Sequence, residues 1–209
     1  MRDGWLDVPL AEYEAHMVCN AQLSALSLLF ARALDLVRPA SVAVLGIAGG
    51  NGLEHIDHRT THRICGIDVN PTYLQTVVSR FATMEGLELL CADLSAMRIQ
   101  LPPFELVHAA LIFEHAGLAL AVQNAVELVA ANGRLSVVLQ LPSPIAAAVS
   151  QNAVPSIQGL ASGFKLINPC AFEGLVAEKG LHLEQVSQYP LPEGKAFWHG
   201  IFKRDSGSK

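Results

Sequence analysis

The sequence of 209 residues has no CxxC pair, no uninterrupted apolar run of membrane-spanning length and no concentration of basic residues. Cys19, Cys65, Cys91 and Cys170 stand far apart in mostly apolar surroundings. Neither a zinc site nor a disulfide framework is indicated, and the four read as small core residues of a reducing compartment. Only 14 Lys and Arg face 19 Asp and Glu, for a formal net charge of -5, and they form no stripe for a polyanion. The first residues carry Asp3 and Asp7 where a signal peptide needs an apolar run. A soluble, cytoplasmic protein working without nucleic acid or membrane is the expectation.

What is present is apolar content. A chain of this length that is 51% hydrophobic can bury one sizeable core, so residues 1–209 are expected to form a single domain. From Leu10 to Val37 apolar residues recur at helical spacing until Arg38-Pro39 stops them, which predicts a long amphipathic helix broken near Cys19. Buried-strand patterns follow at 41–47, 63–68, 87–92, 106–111 and 134–141. Between them lie a short helix from about Asn51, one from Asn70-Pro71 to about Glu85, and one from about Leu118 to Asn132-Gly133. Strand and helix alternate, so the sheet is parallel.

Residues 142–168 break this rhythm with Pro142, Pro144, Pro155, Gly159 and Gly163, and read as an insertion at the mouth of the sheet with a helical turn or two over 145–149. A helix over 169–179 then leads to strands over 181–189 and 195–203, joined so closely that they pair antiparallel. The small polar tail, Asp205 to Lys209 (204–209 as the last segment of the chain), is expected to be disordered.

The most telling stretch is Gly46-Ile47-Ala48-Gly49-Gly50-Asn51-Gly52, where the first strand ends in small residues. Gly and Ala let a backbone come close to a ligand, and free amides at a following helix attract a carboxylate or phosphate. In open α/β sheets ligands sit at the carboxyl ends of the strands near the switch point. Asp68 ends the second strand at the spacing where a carboxylate accepts from both hydroxyls of a ribose, and Asp93 ends the third, where it can accept from an exocyclic amine. Taken singly, Asp68 also reads as a helix cap ahead of Pro71, and Asp93 as the cap of a turn before Ser95. A dinucleotide fingerprint is disfavoured, because counting from Gly50 and Gly52 the third glycine position holds His55.

With the antiparallel ending, the segment 41–203 resembles the class I S-adenosylmethionine-dependent methyltransferases of the small-molecule type. The resemblance implies a three-layer Rossmann-like sandwich around a mostly parallel seven-stranded sheet, closed by an antiparallel strand pair at the C-terminus. It divides the chain into a helical lid (1–38), a cofactor core (41–141), the insertion and the last helix with its strands (169–203). It implies S-adenosylmethionine as cofactor, giving S-adenosylhomocysteine, held by Gly46, Ala48, Gly50, Asn51, Gly52, Asp68, Val69, Asp93, Leu94 and Ala110. Two positions depart from the family's first motif. Gly46 stands where an acidic residue is usual and Ala48 replaces the first glycine, so carbonyls or another side chain must meet the methionine ammonium.

Methyl transfer is an in-line displacement served mainly by alignment and dehydration, and a base helps where the acceptor loses a proton. His115, after the fourth strand, is the expected base with Glu114 beside it. Tyr13 and His16, one turn apart, share the inner face of the N-terminal helix, and Gln140 ends the fifth strand, which makes these three the expected substrate contacts. With Lys165 the one charge over 141–167, the acceptor pocket suits a small, largely neutral molecule. Ala110-Leu111-Ile112-Phe113 occupies the place where relatives that methylate exocyclic or amide nitrogens carry Asn- or Asp-Pro-Pro-aromatic, so adenine, cytosine and glutamine-amide acceptors are disfavoured. His199 on the last strand reads as a surface residue, with pocket lining the alternative. No metal is expected and a homodimer is left open. The competing readings are a non-catalytic nucleotide-binding or regulatory module of the same fold and, less favoured, an NAD-dependent oxidoreductase.

Overall fold

A computed structural model describes residues 2–145 and 154–205. The N-terminal region folds as α1 (Arg2–Leu6), α2 (Leu10–Cys19) and α3 (Gln22–Val37). The break expected near Cys19 is present. Asn20 donates from Nδ2 to the His16 carbonyl and Ala21 adopts a left-handed conformation (φ 53°), so α2 and α3 meet at 87°. Among the described residues no single helix is long and apolar enough to cross a membrane.

The alternating region follows as β1 (Ser41–Leu45), β2 (Arg63–Asp68), α4 (Pro71–Arg80), β3 (Leu87–Cys91), β4 (Phe104–Ala110), α5 (Phe113–Ala116), α6 (Ala119–Glu127) and β5 (Val129–Gln140). The chain then forms α7 (Pro155–Leu160), α8 (Pro169–Ala177), β6 (Leu181–Pro190) and β7 (Ala196–Arg204). The seven strands form one sheet in the order β3-β2-β1-β4-β5-β7-β6, with β7 antiparallel to both neighbours and the other pairs parallel.

Period-two alternation distributes the strands' side chains between two cores. Val42 and Val44 pack with Phe30 and Leu34 of α3 and Val77 of α4 on one face, while Ala43 and Leu45 share the other with Val122 of α6 and Phe172 of α8. Three layers result, as the resemblance implies. Local chemistry sets the helix starts. Asn70 caps α4 by accepting from the amides of Thr72 (2.9 Å) and Tyr73 (3.4 Å), and Pro71 supplies the first helical residue.

Several expectations need correction. No regular helix follows β1: the chain makes a single 3-10 turn, Leu53–His55, before Ile56 returns to an extended conformation. That turn is closed by Glu54, which accepts the Gly52 amide, and by His55, whose Nε2 lies 2.8 Å from Ser27 Oγ on α3. There is accordingly no long helix whose first turn faces the site. The helix after Pro71 ends at Arg80, short of Glu85, and α6 ends at Glu127, short of Asn132. Instead, β5 starts at Val129, paired with Phe104, and carries Asn132 in a left-handed conformation through an irregularity in the β4–β5 register. Of the four cysteines only Cys65 is buried; the other three are exposed, Cys91 ending the edge strand β3. His199 is buried in the sheet rather than exposed, since β7 lies between β5 and β6 and is not an edge. The turn predicted over 145–149 lies, from residue 146, outside the described residues, as does the tail from 206.

Candidate active site

A cleft with an empty volume of ≈ 970 Å³, open mouth included, lies at the carboxyl ends of β1, β2 and β4. The strand order reverses between β1 and β4, which makes this the switch point of the sheet. Beneath it, Gly46 leaves β1 with φ 71°, and a Cβ there would stand 2.9 Å from Ile112 Cδ1. Ala48 and Leu111, both lining the cleft, also hold positive φ (46° and 54°). Strained non-glycine residues of this kind cost about 1–3 kcal/mol each and gather at functional sites.

Of the residues expected to hold the cofactor, Gly46, Ala48, Asp68, Val69, Leu94 and Ala110 line the cleft. The Ala48 amide donates to Asp68 Oδ2 and the Asn70 amide to Oδ1, both at 2.9 Å. Burial pushes the Asp68 carboxyl up, and the amides of Asn70, Ala48 and Val69 act against it. A carboxylate oxygen can accept more than one hydrogen bond, so the group keeps acceptor capacity toward the cleft.

Gly50, Asn51, Gly52 and Asp93 do not line the cleft. A Cβ on Gly50 would stand 2.5 Å from the Phe81 ring and one on Gly52 2.8 Å from the Phe30 ring, while Asn51 donates to the Leu23 carbonyl. This half of the loop packs against α3 and the end of α4. Asp93 Oδ1 accepts from the Ser95 amide and hydroxyl, the capping role open to it from the sequence.

Tyr13, His16 and Gln140 line the cleft, as does His115, whereas Glu114 is buried beneath it. Burial raises the Tyr13 phenol, with Asp68 and Glu14 adding to the shift; burial, then Lys195, lowers His16. His115 is pushed down to about 4 by burial, and neither ring nitrogen has a hydrogen-bond partner among the described residues. Glu114 Oε1 accepts the Gln140 amide at 2.9 Å while Oε2 has no partner among the described residues, and burial pushes this carboxyl up to about 7.

The cleft is roofed by α1, α2 and α7 through Trp5, Met17 and Leu160. Three contacts fasten this roof to the β2–α4 region: Asn70 Nδ2 donates to the Trp5 carbonyl, Tyr73 Oη to the Val8 carbonyl, and Arg80 pairs with Glu14 while also donating to the Gly49 carbonyl. Gln22 and Phe164 also line the cleft and escape sequence reasoning, since each comes from a segment with no strand-end or motif signal, and Trp5 joins them from the N-terminal segment expected to form a lid. Asn124 is a further unforeseen residue. Buried on α6, it donates to the carbonyls of Leu94 and Met97 and accepts the Ile99 amide, holding the loop that brings Leu94 to the cleft.

Neither a family model nor a curated protein matches the sequence. Solved structures do match the fold. The N-methyltransferase NodS from Bradyrhizobium japonicum WM9, in complex with S-adenosylhomocysteine, superposes with a TM-score of 0.62 at 17% identity, covering 95% of this chain and 89% of that one. Magnesium protoporphyrin IX methyltransferase (ChlM) from Synechocystis PCC 6803 gives 0.71 at 9% identity over 98% of both chains. The 1,6-didemethyltoxoflavin-N1-methyltransferase of Burkholderia thailandensis, with 1,6-didemethyltoxoflavin and S-adenosylhomocysteine bound, gives 0.64 at 14% identity, covering 98% of this chain and 82% of that one. At these identities the likeness is one of architecture: the chain has the fold of the class I small-molecule S-adenosylmethionine-dependent methyltransferases.

Proposed function

We propose that this protein transfers a methyl group from S-adenosylmethionine to a small-molecule acceptor by in-line displacement. The observation that carries the reading is the switch-point cleft in which the buried Asp68 carboxylate stands beside Gly46 and Ala48. NodS and the two other neighbours are methyltransferases crystallised with S-adenosylhomocysteine. The donor set fits the group. Asp68 has lone pairs for a ribose diol, Leu94 and Val69 offer apolar edges to a purine, and side-chain-free Gly46 opens the approach to the sulfur.

When bound, S-adenosylmethionine supplies an electrophilic methyl group. The chain's own work is alignment and exclusion of water, which the roof of α1, α2 and α7 provides over the strand ends. His115, at the start of the helix after β4, accepts the acceptor's proton through a ring nitrogen that has no other partner among the described residues. Glu114 serves through Gln140, whose amide it holds.

The chain's departures from the family's first motif, with Gly50, Asn51 and Gly52 turned to packing, favour one second reading: a binding module without turnover. Thermal unfolding with S-adenosylhomocysteine, S-adenosylmethionine and NAD separates the readings. A ligand at a hundred times its Kd adds about 2.7 kcal/mol of stability. The methyltransferase reading expects a shift with both sulfur ligands and release of S-adenosylhomocysteine with an acceptor. No shift with either overturns it, and a shift without turnover over a broad acceptor set leaves the binding module.

A further inference from the structure

The acceptor half of the cleft has a distinct chemistry. Four rings stand in edge-to-face succession: Phe164 against His115 (4.9 Å between centroids, 66°), His115 against Trp5 (4.8 Å, 85°), and Trp5 against Tyr13 (5.6 Å, 78°). They come from α5, α1, α2 and the segment after α7, so the chain assembles them from four separate places. Aromatic surface of this kind favours a flat, apolar ligand.

Charge is the second constraint. Among the described residues lining the cleft there is no Lys or Arg, and the sole acid, Asp68, is engaged at the cofactor end by the amides of Ala48 and Asn70. His115 and His16 are both held toward their neutral forms by burial. Lys195, whose charge reaches His16, is buried outside the lining, so an acceptor bearing carboxylate, phosphate or ammonium loses its hydration without a counter-charge in contact. An aliphatic amine meets the same difficulty on entry, because it is an ammonium ion at neutral pH. A hydroxyl avoids it: the oxygen forms its bond to the methyl carbon as the carbon–sulfur bond breaks, that bond's electron pair stays on sulfur, and the hydroxyl proton passes to the His115 ring and on to water. The ether left behind is neutral.

The third observation is unmet polarity. Neither His115 nor Gln22, which is only 4% exposed, has a side-chain hydrogen-bond partner among the described residues, although both line the cleft. An imidazole nitrogen accepts from a hydroxyl, and a carboxamide can meet a second polar atom on the same ring system.

We propose that the acceptor is a planar, uncharged aromatic compound whose ring hydroxyl is methylated against His115, beside Trp5 and Phe164. This rests on the methyl-transfer reading above, and the test keeps the two apart. The purified full chain is assayed with tritiated S-adenosylmethionine on 2-naphthol, on 6-hydroxy-2-naphthoate and on 6-(aminomethyl)-2-naphthol, and S-adenosylhomocysteine binding is measured by calorimetry. The expected result is O-methylation of 2-naphthol with kcat/KM roughly tenfold or more above each of the others. Phe164→Ala should raise KM for 2-naphthol several-fold while S-adenosylhomocysteine affinity stays unchanged. Binding of S-adenosylhomocysteine with no transfer to 2-naphthol, or with equal or faster transfer to a charged analogue, overturns the acceptor assignment alone. Absence of binding overturns both.

Discussion

The Ala48 amide donates to Asp68 Oδ2 over 2.9 Å, so the end of β2 and the loop after β1 are locked into one unit. The carboxylate also accepts the Asn70 amide, and Asn70 in turn caps α4 and holds the Trp5 carbonyl of the roof. A single buried carboxylate thereby coordinates three parts of the cleft.

Asp68→Ala should cost at least about 1–3 kcal/mol of S-adenosylhomocysteine affinity, because two amides and the ribose diol lose their acceptor. Asp68→Asn, which keeps one acceptor oxygen, should lose less. Calorimetry decides it, with circular dichroism to confirm folding; unchanged affinity in the alanine variant would mean that the ribose lies elsewhere.

Ala48→Gly tests the loop from the opposite direction. A left-handed alanine costs about 1–2 kcal/mol, and glycine gives back part of that gain through the freedom of the unfolded chain. The variant should be more stable by several tenths to about 1 kcal/mol in urea unfolding. A loss of stability would show that the Cβ packing outweighs the backbone strain.

Glu114 should make stability fall as pH rises. Its folded pKa of about 7 exceeds the ordinary value of 4.5, so the folded state binds more protons between these values. The stabilisation is complete below pH 4.5 and is lost on the way to 7, a change on the order of 3 kcal/mol. In Glu114→Gln that slope should vanish. Urea denaturation at a series of pH values reads it directly, and an unaltered slope would remove Glu114 as its source.

The opposite slope comes from a buried chain of side chains across the sheet. His108 Nδ1 lies 3.0 Å from Ser136 Oγ, which lies 2.9 Å from His199 Nε2. Burial, then His199, pushes His108 down to about 3, and burial, then Arg32, pushes His199 down to about 4. The unfolded chain therefore binds more protons below its ordinary histidine value of 6.5, and stability present above that pH is lost as pH falls toward 4. In the native chain the two slopes oppose each other. His199→Gln should keep the hydrogen bond to Ser136 and reduce the loss between pH 6.5 and 5, measured by thermal melts; an equal loss would assign the acid sensitivity elsewhere.

His115→Ala should lower turnover by about 10²-fold while leaving S-adenosylhomocysteine affinity intact, the range typical of a positioned base. His115→Gln, which restores an acceptor atom, should recover part of it. Equal turnover in the alanine variant, measured by release of S-adenosylhomocysteine, would leave desolvation and alignment as the whole of the catalysis.

Much of the architecture is legible in the residues themselves. Buried runs such as Ile64-Cys65-Gly66-Ile67, the Asn70-Pro71 start of α4 and the close spacing of the last two strands are local signals, and each acts within a few residues of where it is read. The positions of Asp68, Tyr13, His16, His115 and Gln140 at one cleft follow from strand ends and helix periodicity, which carry over into space. The use made of the glycine loop is another matter. Gly50 and Gly52 are small because the Phe81 and Phe30 rings pass over them, contacts across 31 and 22 positions of sequence that no spacing rule reveals. The same holds for Asp93, which satisfies its nearest donors on Ser95, and for the ring set of Trp5, Tyr13, His115 and Phe164, which exists only once α2 has turned 87° from α3 and α7 has closed beside it. Local periodicity specifies elements because backbone hydrogen bonding and burial act over one or two turns. The cleft's polarity and the protonation of its groups are sums over surroundings drawn from the whole chain, and they come into being with the packing.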